Sequence, residues 1–123
     1  MPKTKPLISV VDDDESMREA MRGFMKSLGY TAEAFESAEE FLSSGQVPRT
    51  SFLIADVHMP GMTGLELHHH LVASGKTIPT ILITAYPDDG VRQRALGDGV
   101  VCYLSKPFDE NDLLACIRSS LNI

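Results

Sequence analysis

The sequence predicts an α/β domain built on a parallel sheet, and three observations carry that prediction. Five short apolar runs alternate with helical patterns, the signature of repeated βαβ units. The 123 residues suffice for one compact domain, residues 1–123, and leave no room for a second. With 43% hydrophobic and 23% charged residues, the chain can bury a core without disulfides or a structural metal.

The first strand is expected at LISVV, residues 7–11. After it Met17, Ala20, Met21, Phe24, Met25 and Leu28 recur at helical spacing, an amphipathic helix stopped by Gly29. Its methionine stripe is core packing. TAEAF, 31–35, alternates and belongs at a sheet edge, and a second helix opens at Ser37 with Glu40 completing a capping box, ending near Gly45. SFLIA, 51–55, and TILIT, 80–84, are apolar without alternation, as strands buried on both faces are. The third helix spans Thr63 to Ser74, and the fourth begins at Asp88 or Asp89. VVCYL, 100–104, is the fifth strand, and the last helix, Asp109 to Leu121, turns Leu113, Leu114, Ile117 and Leu121 inward.

Eleven Lys and Arg against seventeen Asp and Glu give a net charge of −6, the wrong sign for neutralising nucleic-acid phosphates. No apolar run approaches the ~20 residues of a membrane span or the core of a signal peptide, so a cytoplasmic protein is expected. Cys102 and Cys116 lie in apolar stretches without CxxC spacing and are expected to be reduced, buried thiols.

Parallel sheets bind ligands beyond the carboxyl ends of their strands. Those ends here carry Asp12, Asp13 and Asp14; Asp56; Thr84 and Ala85; and Ser105, Lys106 and Pro107. Two carboxylates about 4 to 5 Å apart repel by roughly 3 to 4 kcal/mol at an effective dielectric of 20. A hard divalent cation would compensate, and an open oxygen-lined rim suits Mg²⁺ shared with a phosphoryl group. Lys106 and Thr84 would then hold the remaining phosphoryl oxygens, and Asp56 is a candidate nucleophile forming an aspartyl phosphate.

Along essentially its whole length the chain resembles the response-regulator receiver domain of two-component signalling. The resemblance rests on VVDDDES followed by Arg18, on IADVHMPGMTGLEL around Asp56, on ITA at Thr84 and Ala85, and on YLSKPF with Lys106. It implies a flavodoxin-like (βα)5 doubly wound sheet of order 2-1-3-4-5. It makes Asp56 the phosphoacceptor, Asp13 the main Mg²⁺ ligand with Asp12 beside it, and the His58 backbone carbonyl a further ligand. Thr84 and Lys106 match the residues that bind and sense the phosphoryl group, Tyr103 the aromatic switch, and Lys106-Pro107 a bond usually cis. His58 and Tyr86 match the positions that tune phosphoryl loss. The segment after Asp56 is most similar to receivers of nitrogen-fixation and nodulation transcription regulators.

Plainer readings stand beside these. Asp14 becomes the ligand if the first strand runs one residue longer, although a capping box from Ser16 to Glu19 places it at a helix entrance. His68, His69 and His70 point about 100° apart on a helix and read as a face, not a chelate. Tyr103 could be core, Thr84 a strand cap and Lys106 a solvated lysine; their convergence on one rim, and the resemblance, argue otherwise. His58 and Tyr86 could shield the phosphorus from water, or His58 could act as a general base.

The reading that follows is a phosphoryl-accepting switch. It takes a phosphoryl group from the phosphohistidine of a sensor kinase or phosphotransfer protein, catalyses its own modification and slow dephosphorylation, and alters the face of the fourth helix, fifth strand and fifth helix, where a partner or a second copy binds. With Ile123 just past the last helix, the chain reads as a stand-alone receiver or the regulatory part of a transcription factor. A phosphorylation-independent interaction module is the rival. A Mg²⁺-dependent phosphohydrolase lacks a substrate pocket and an Asp two residues after Asp56.

Overall fold

In the computed structural model, which describes residues 6–121 and side chains as far as residue 119, five strands form one parallel sheet. They are β1 (Leu7–Val11), β2 (Thr31–Phe35), β3 (Thr50–Asp56), β4 (Thr80–Thr84) and β5 (Cys102–Ser105), in the order β2-β1-β3-β4-β5. The connecting helices are α1 (Glu15–Ser27), α2 (Ala38–Ser43), α3 (Gly64–Ala73), α4 (Asp89–Gly97) and α5 (Glu110–Leu121). A single 3-10 turn, Val47–Arg49, precedes β3.

Alternation along the strands divides the apolar side chains into two layers. Ile8, Val10, Phe52, Ile54, Ile81 and Ile83 face α1 and α5, where they meet Met21, Met25, Leu113 and Ile117. Val11, Leu53, Ala55 and Leu82 face the opposite side and pack with Phe41, Leu65, Leu67, Leu71 and Ala95 of α2, α3 and α4. Every residue of β4 and all but Ser51 of β3 are buried, as runs without alternation require, and the alternating β2 lies at the edge.

The predicted elements are all present, with local corrections. Asp14, not Ser16, is the N-cap of α1 and accepts the Ser16 N–H at 3.0 Å, so the Ser16–Glu19 box does not form. An Asp whose carboxylate reaches the backbone two residues on caps as well as Ser and starts the helix earlier. Ala20 of the predicted stripe is exposed, whereas Met21 and Met25 are buried. At α2 the Glu40 N–H donates to Ser37 Oγ, but the Glu40 carboxylate accepts the N–H of Glu36. Strand β5 begins two residues late, because Val100 and Val101 follow the left-handed Gly99 in the turn from α4. Leu121, expected to face inward, has its side chain outside the described residues.

The largest correction concerns the cysteines. Cys102 and Cys116 are joined by a disulfide, with Cα atoms 6.3 Å apart. Their separation of 14 residues carries no pairing signal in sequence, but β5 and α5 are adjacent layers and the fold sets the two side chains face to face.

Candidate functional site

Because β1 pairs with β2 on one side and β3 on the other, the crossovers from β1 and β3 leave in opposite directions and open a crevice at their carboxyl ends. Val11 is in register with Ala55, so the next residues, Asp12 and Asp56, stand side by side. One carboxylate oxygen from each of Asp12, Asp13 and Asp56 can be chosen such that all three lie within 4.8 Å of one another. Asp12 is fully buried, Asp56 nearly so, and Asp13 exposed at the mouth.

Asp12 is held on every side. Its Oδ1 accepts the Asp14 N–H at 2.9 Å, its Oδ2 accepts from Lys106 Nζ at 3.0 Å, and its carbonyl accepts from the Arg18 guanidinium at 2.9 Å. Lys106 Nζ also lies 3.6 Å from Asp56 Oδ2. One ammonium therefore serves two carboxylates, with that of Asp13 beside them at the mouth. Burial first, and then the charge of Asp12, raises the Asp56 pKa; the Lys106 charge and the His58 N–H, 3.4 Å from Asp56 Oδ1, only partly offset this. For Lys106, burial disfavours the ammonium, but the hydrogen bond and charge of Asp12 and the charge of Asp56 outweigh it and raise its pKa.

The remaining predicted residues surround this group. Thr84 ends β4, fully buried, next to the Asp56–Ile83 pair; its Oγ1 accepts the Tyr86 N–H at 3.0 Å and its carbonyl the Lys106 N–H at 2.7 Å. The Lys106-Pro107 bond is cis. His58 and Tyr86 are exposed and meet edge to face, ring centroids 5.6 Å apart. Tyr103 stands apart from the carboxylates, half-buried beside α4, where its hydroxyl accepts the Asp88 N–H at 3.2 Å. Asp14 is committed to capping α1. His68 is buried, its pKa lowered by burial, while His69 pairs with Asp98 and His70 is exposed, so the three form no chelate.

Two contributors escape a reading of the sequence alone. Gly64, the first residue of α3, lies so close to β3 that a Cβ would come within 2.4 Å of the Asp56 carbonyl oxygen. Glu39 reaches across from α2 and accepts the Met62 N–H at 3.1 Å, pinning the loop that carries His58. Neither approach has a local signal, although a small residue directly after the Thr63 cap hints at the first.

The donor set is all oxygen, partly buried, short of positive charge and open on one side. Those properties fit a hard divalent cation such as Mg²⁺ that keeps part of its water shell. Among the described residues no helix is long and apolar enough to cross a membrane.

Compared with known proteins, residues 8–118 match the family described as response regulator receiver domain. Nodulation protein W of Bradyrhizobium diazoefficiens is 40% identical over 114 residues, 93% of this chain and 50% of that protein. Response regulator protein TodT of Pseudomonas putida is 36% identical over 117 residues, 95% of this chain and 52% of that protein. The solved structure of response regulator StyR has a TM-score of 0.88 at 40% identity, covering 97% of this chain and 60% of that one. The chain thus spans about half the length of the curated relatives it matches.

Proposed function

This chain belongs to the response regulator receiver domain family, and from that premise we propose that it accepts a phosphoryl group on Asp56 from a phosphohistidine of a sensor kinase or phosphotransfer protein. The gathering of Asp12, Asp13, Asp56 and Lys106 at one strand rim supports this reading most directly. Mg²⁺ held by Asp12, Asp13, Asp56 and the His58 carbonyl would neutralise charge on the phosphoryl oxygens. The chain's own residues do the rest. Asp56, ionised, attacks phosphorus in line and the histidine nitrogen leaves. Lys106, already within reach of Asp56, transfers its ammonium from the carboxylates to a phosphoryl oxygen, and the Thr84 hydroxyl takes another. The paired rings of His58 and Tyr86 cover the approach of water and lengthen the life of the phosphoryl group.

In this reading Thr84, drawn toward the new charge, vacates space into which Tyr103 turns. Tyr103 then releases the Asp88 N–H at the start of α4 and changes the face of α4, β5 and α5, where a partner or a second copy of the chain binds. The likeness to the transcriptional regulatory protein FixJ of Azorhizobium caulinodans supports a part in controlling transcription for residues 1–123; in this proposal they work in the cytoplasm and, with a net charge of −6, do not themselves touch DNA. Mg²⁺ with beryllofluoride, which mimics the phosphoryl group, is expected to change hydrogen exchange across residues 88–108 in the wild type and not in Asp56→Asn. Exchange that stays the same in both would favour an interaction module that works without phosphorylation.

A further inference from the structure

The disulfide between Cys102 and Cys116 takes no part in the chemistry above, yet it sits where that chemistry is relayed. Cys102 opens β5, half-buried, and Cys116 lies in mid-α5 with 8% exposure. The ring of chain they close contains Tyr103, whose hydroxyl holds the start of α4, and Lys106, whose ammonium bridges Asp12 and Asp56. A structural staple has little to add in a domain with two complete apolar layers. If, as proposed above, a histidine kinase serves the chain in the cytoplasm, the surrounding thiol pool is reducing, and disulfides found there are mostly transient and redox-sensing.

We propose that Cys102 and Cys116 form a reversible thiol–disulfide modification site that sets how freely the Lys106 segment moves, and so couples the thiol pool to phosphoryl acceptance. The second half of this statement rests on the function proposed above. Cys102 is the less buried of the two residues, so the proposal takes its sulfur as the one an external thiolate attacks. A thiolate of a dithiol attacks Cys102 Sγ, the Cys102–Cys116 bond breaks, and Cys116 Sγ leaves with the electron pair and takes a proton. The second thiolate of the dithiol then attacks its own sulfur in the mixed disulfide, and Cys102 Sγ leaves and is protonated. The dithiol becomes a disulfide, its two protons reside on the two cysteines, and the pair has gained two electrons. In the reverse direction the Cys102 thiolate attacks glutathione disulfide, whose S–S bond breaks to release one glutathione thiolate; the Cys116 thiolate then attacks Cys102 Sγ in the mixed disulfide and releases the second, and the two glutathiones take up the protons the cysteines lose. With the clamp open, β5 is no longer tied to α5, and Lys106 leaves Asp12 for a phosphoryl oxygen more readily.

The test equilibrates the intact chain in glutathione buffers of graded ratio, alkylates free thiols with a maleimide, and reads the mass and the hydrogen exchange of residues 103–109. A smooth passage from no to two alkylated cysteines is expected, with exchange about threefold or more faster in the reduced form. A chain carrying two alkyl groups at every ratio, or none at every ratio, would overturn the couple, and equal exchange in both forms would overturn the clamp. Phosphorylation by a small phosphodonor with Mg²⁺ is expected to be faster in the reduced form, and equal rates would overturn the coupling. If neither form takes a phosphoryl group, the proposed function fails, while the mass and exchange readouts still decide the couple and the clamp.

Discussion

Asp56 carries a cost that its task requires. Burial and the Asp12 charge hold its pKa above the ordinary 3.8, so between that value and the raised one the native state keeps a proton that the unfolded chain has lost. In that interval stability falls as pH rises, because the native state binds more protons than the unfolded one. Without divalent cation, Asp56→Asn is therefore expected to be more stable than the wild type at neutral pH, the advantage growing as pH climbs through the interval and levelling above it. Urea unfolding at a series of pH values checks the sign; an advantage that shrinks with rising pH would contradict it. His58 offers a second test at this scale. If its ring and that of Tyr86 exclude water, His58→Asn loses its phosphoryl group faster at neutral pH with saturating Mg²⁺, whereas slower loss would make His58 a general base.

At the scale of elements, what matters is how tightly each helix is laid against the sheet. Gly64→Ala places a methyl carbon 2.4 Å from the Asp56 carbonyl oxygen, a contact neither β3 nor α3 can relax without moving the other. It is expected to cost about 1–3 kcal/mol and to slow phosphodonor modification by shifting Asp56. Gly23→Ala, in mid-α1 with nothing within 4 Å, is expected to stabilise by about 0.5–1 kcal/mol, so one substitution type has opposite signs on two helices, readable by the same urea titration. This contrast marks the limit of what sequence alone discloses. Element type was legible because apolar spacing reports the local period, and Asp12, Asp13, Asp56, Thr84 and Lys106 were legible because each ends a strand or lies within two residues after one. The Gly64 approach, the Glu39 reach, the Asp14 cap and the Cys102–Cys116 bond were not, since each depends on the distance or angle at which one element is laid against another or on a two-residue choice of helix start.

For the whole molecule, a doubly wound sheet gathers acid, hydroxyl and ammonium from four strand ends at one crevice, and the strand order that does so became apparent through family resemblance, not through periodicity. In the proposed function this crevice takes a phosphoryl group on one carboxylate, that of Asp56. Intact-mass spectrometry of the wild type and Asp56→Asn, each treated with a small phosphodonor and Mg²⁺, tests it most directly. One added phosphoryl group is expected on the wild type and none on the variant or without Mg²⁺; stoichiometric phosphoryl on Asp56→Asn, or none on the wild type, would rule out Asp56 as the acceptor.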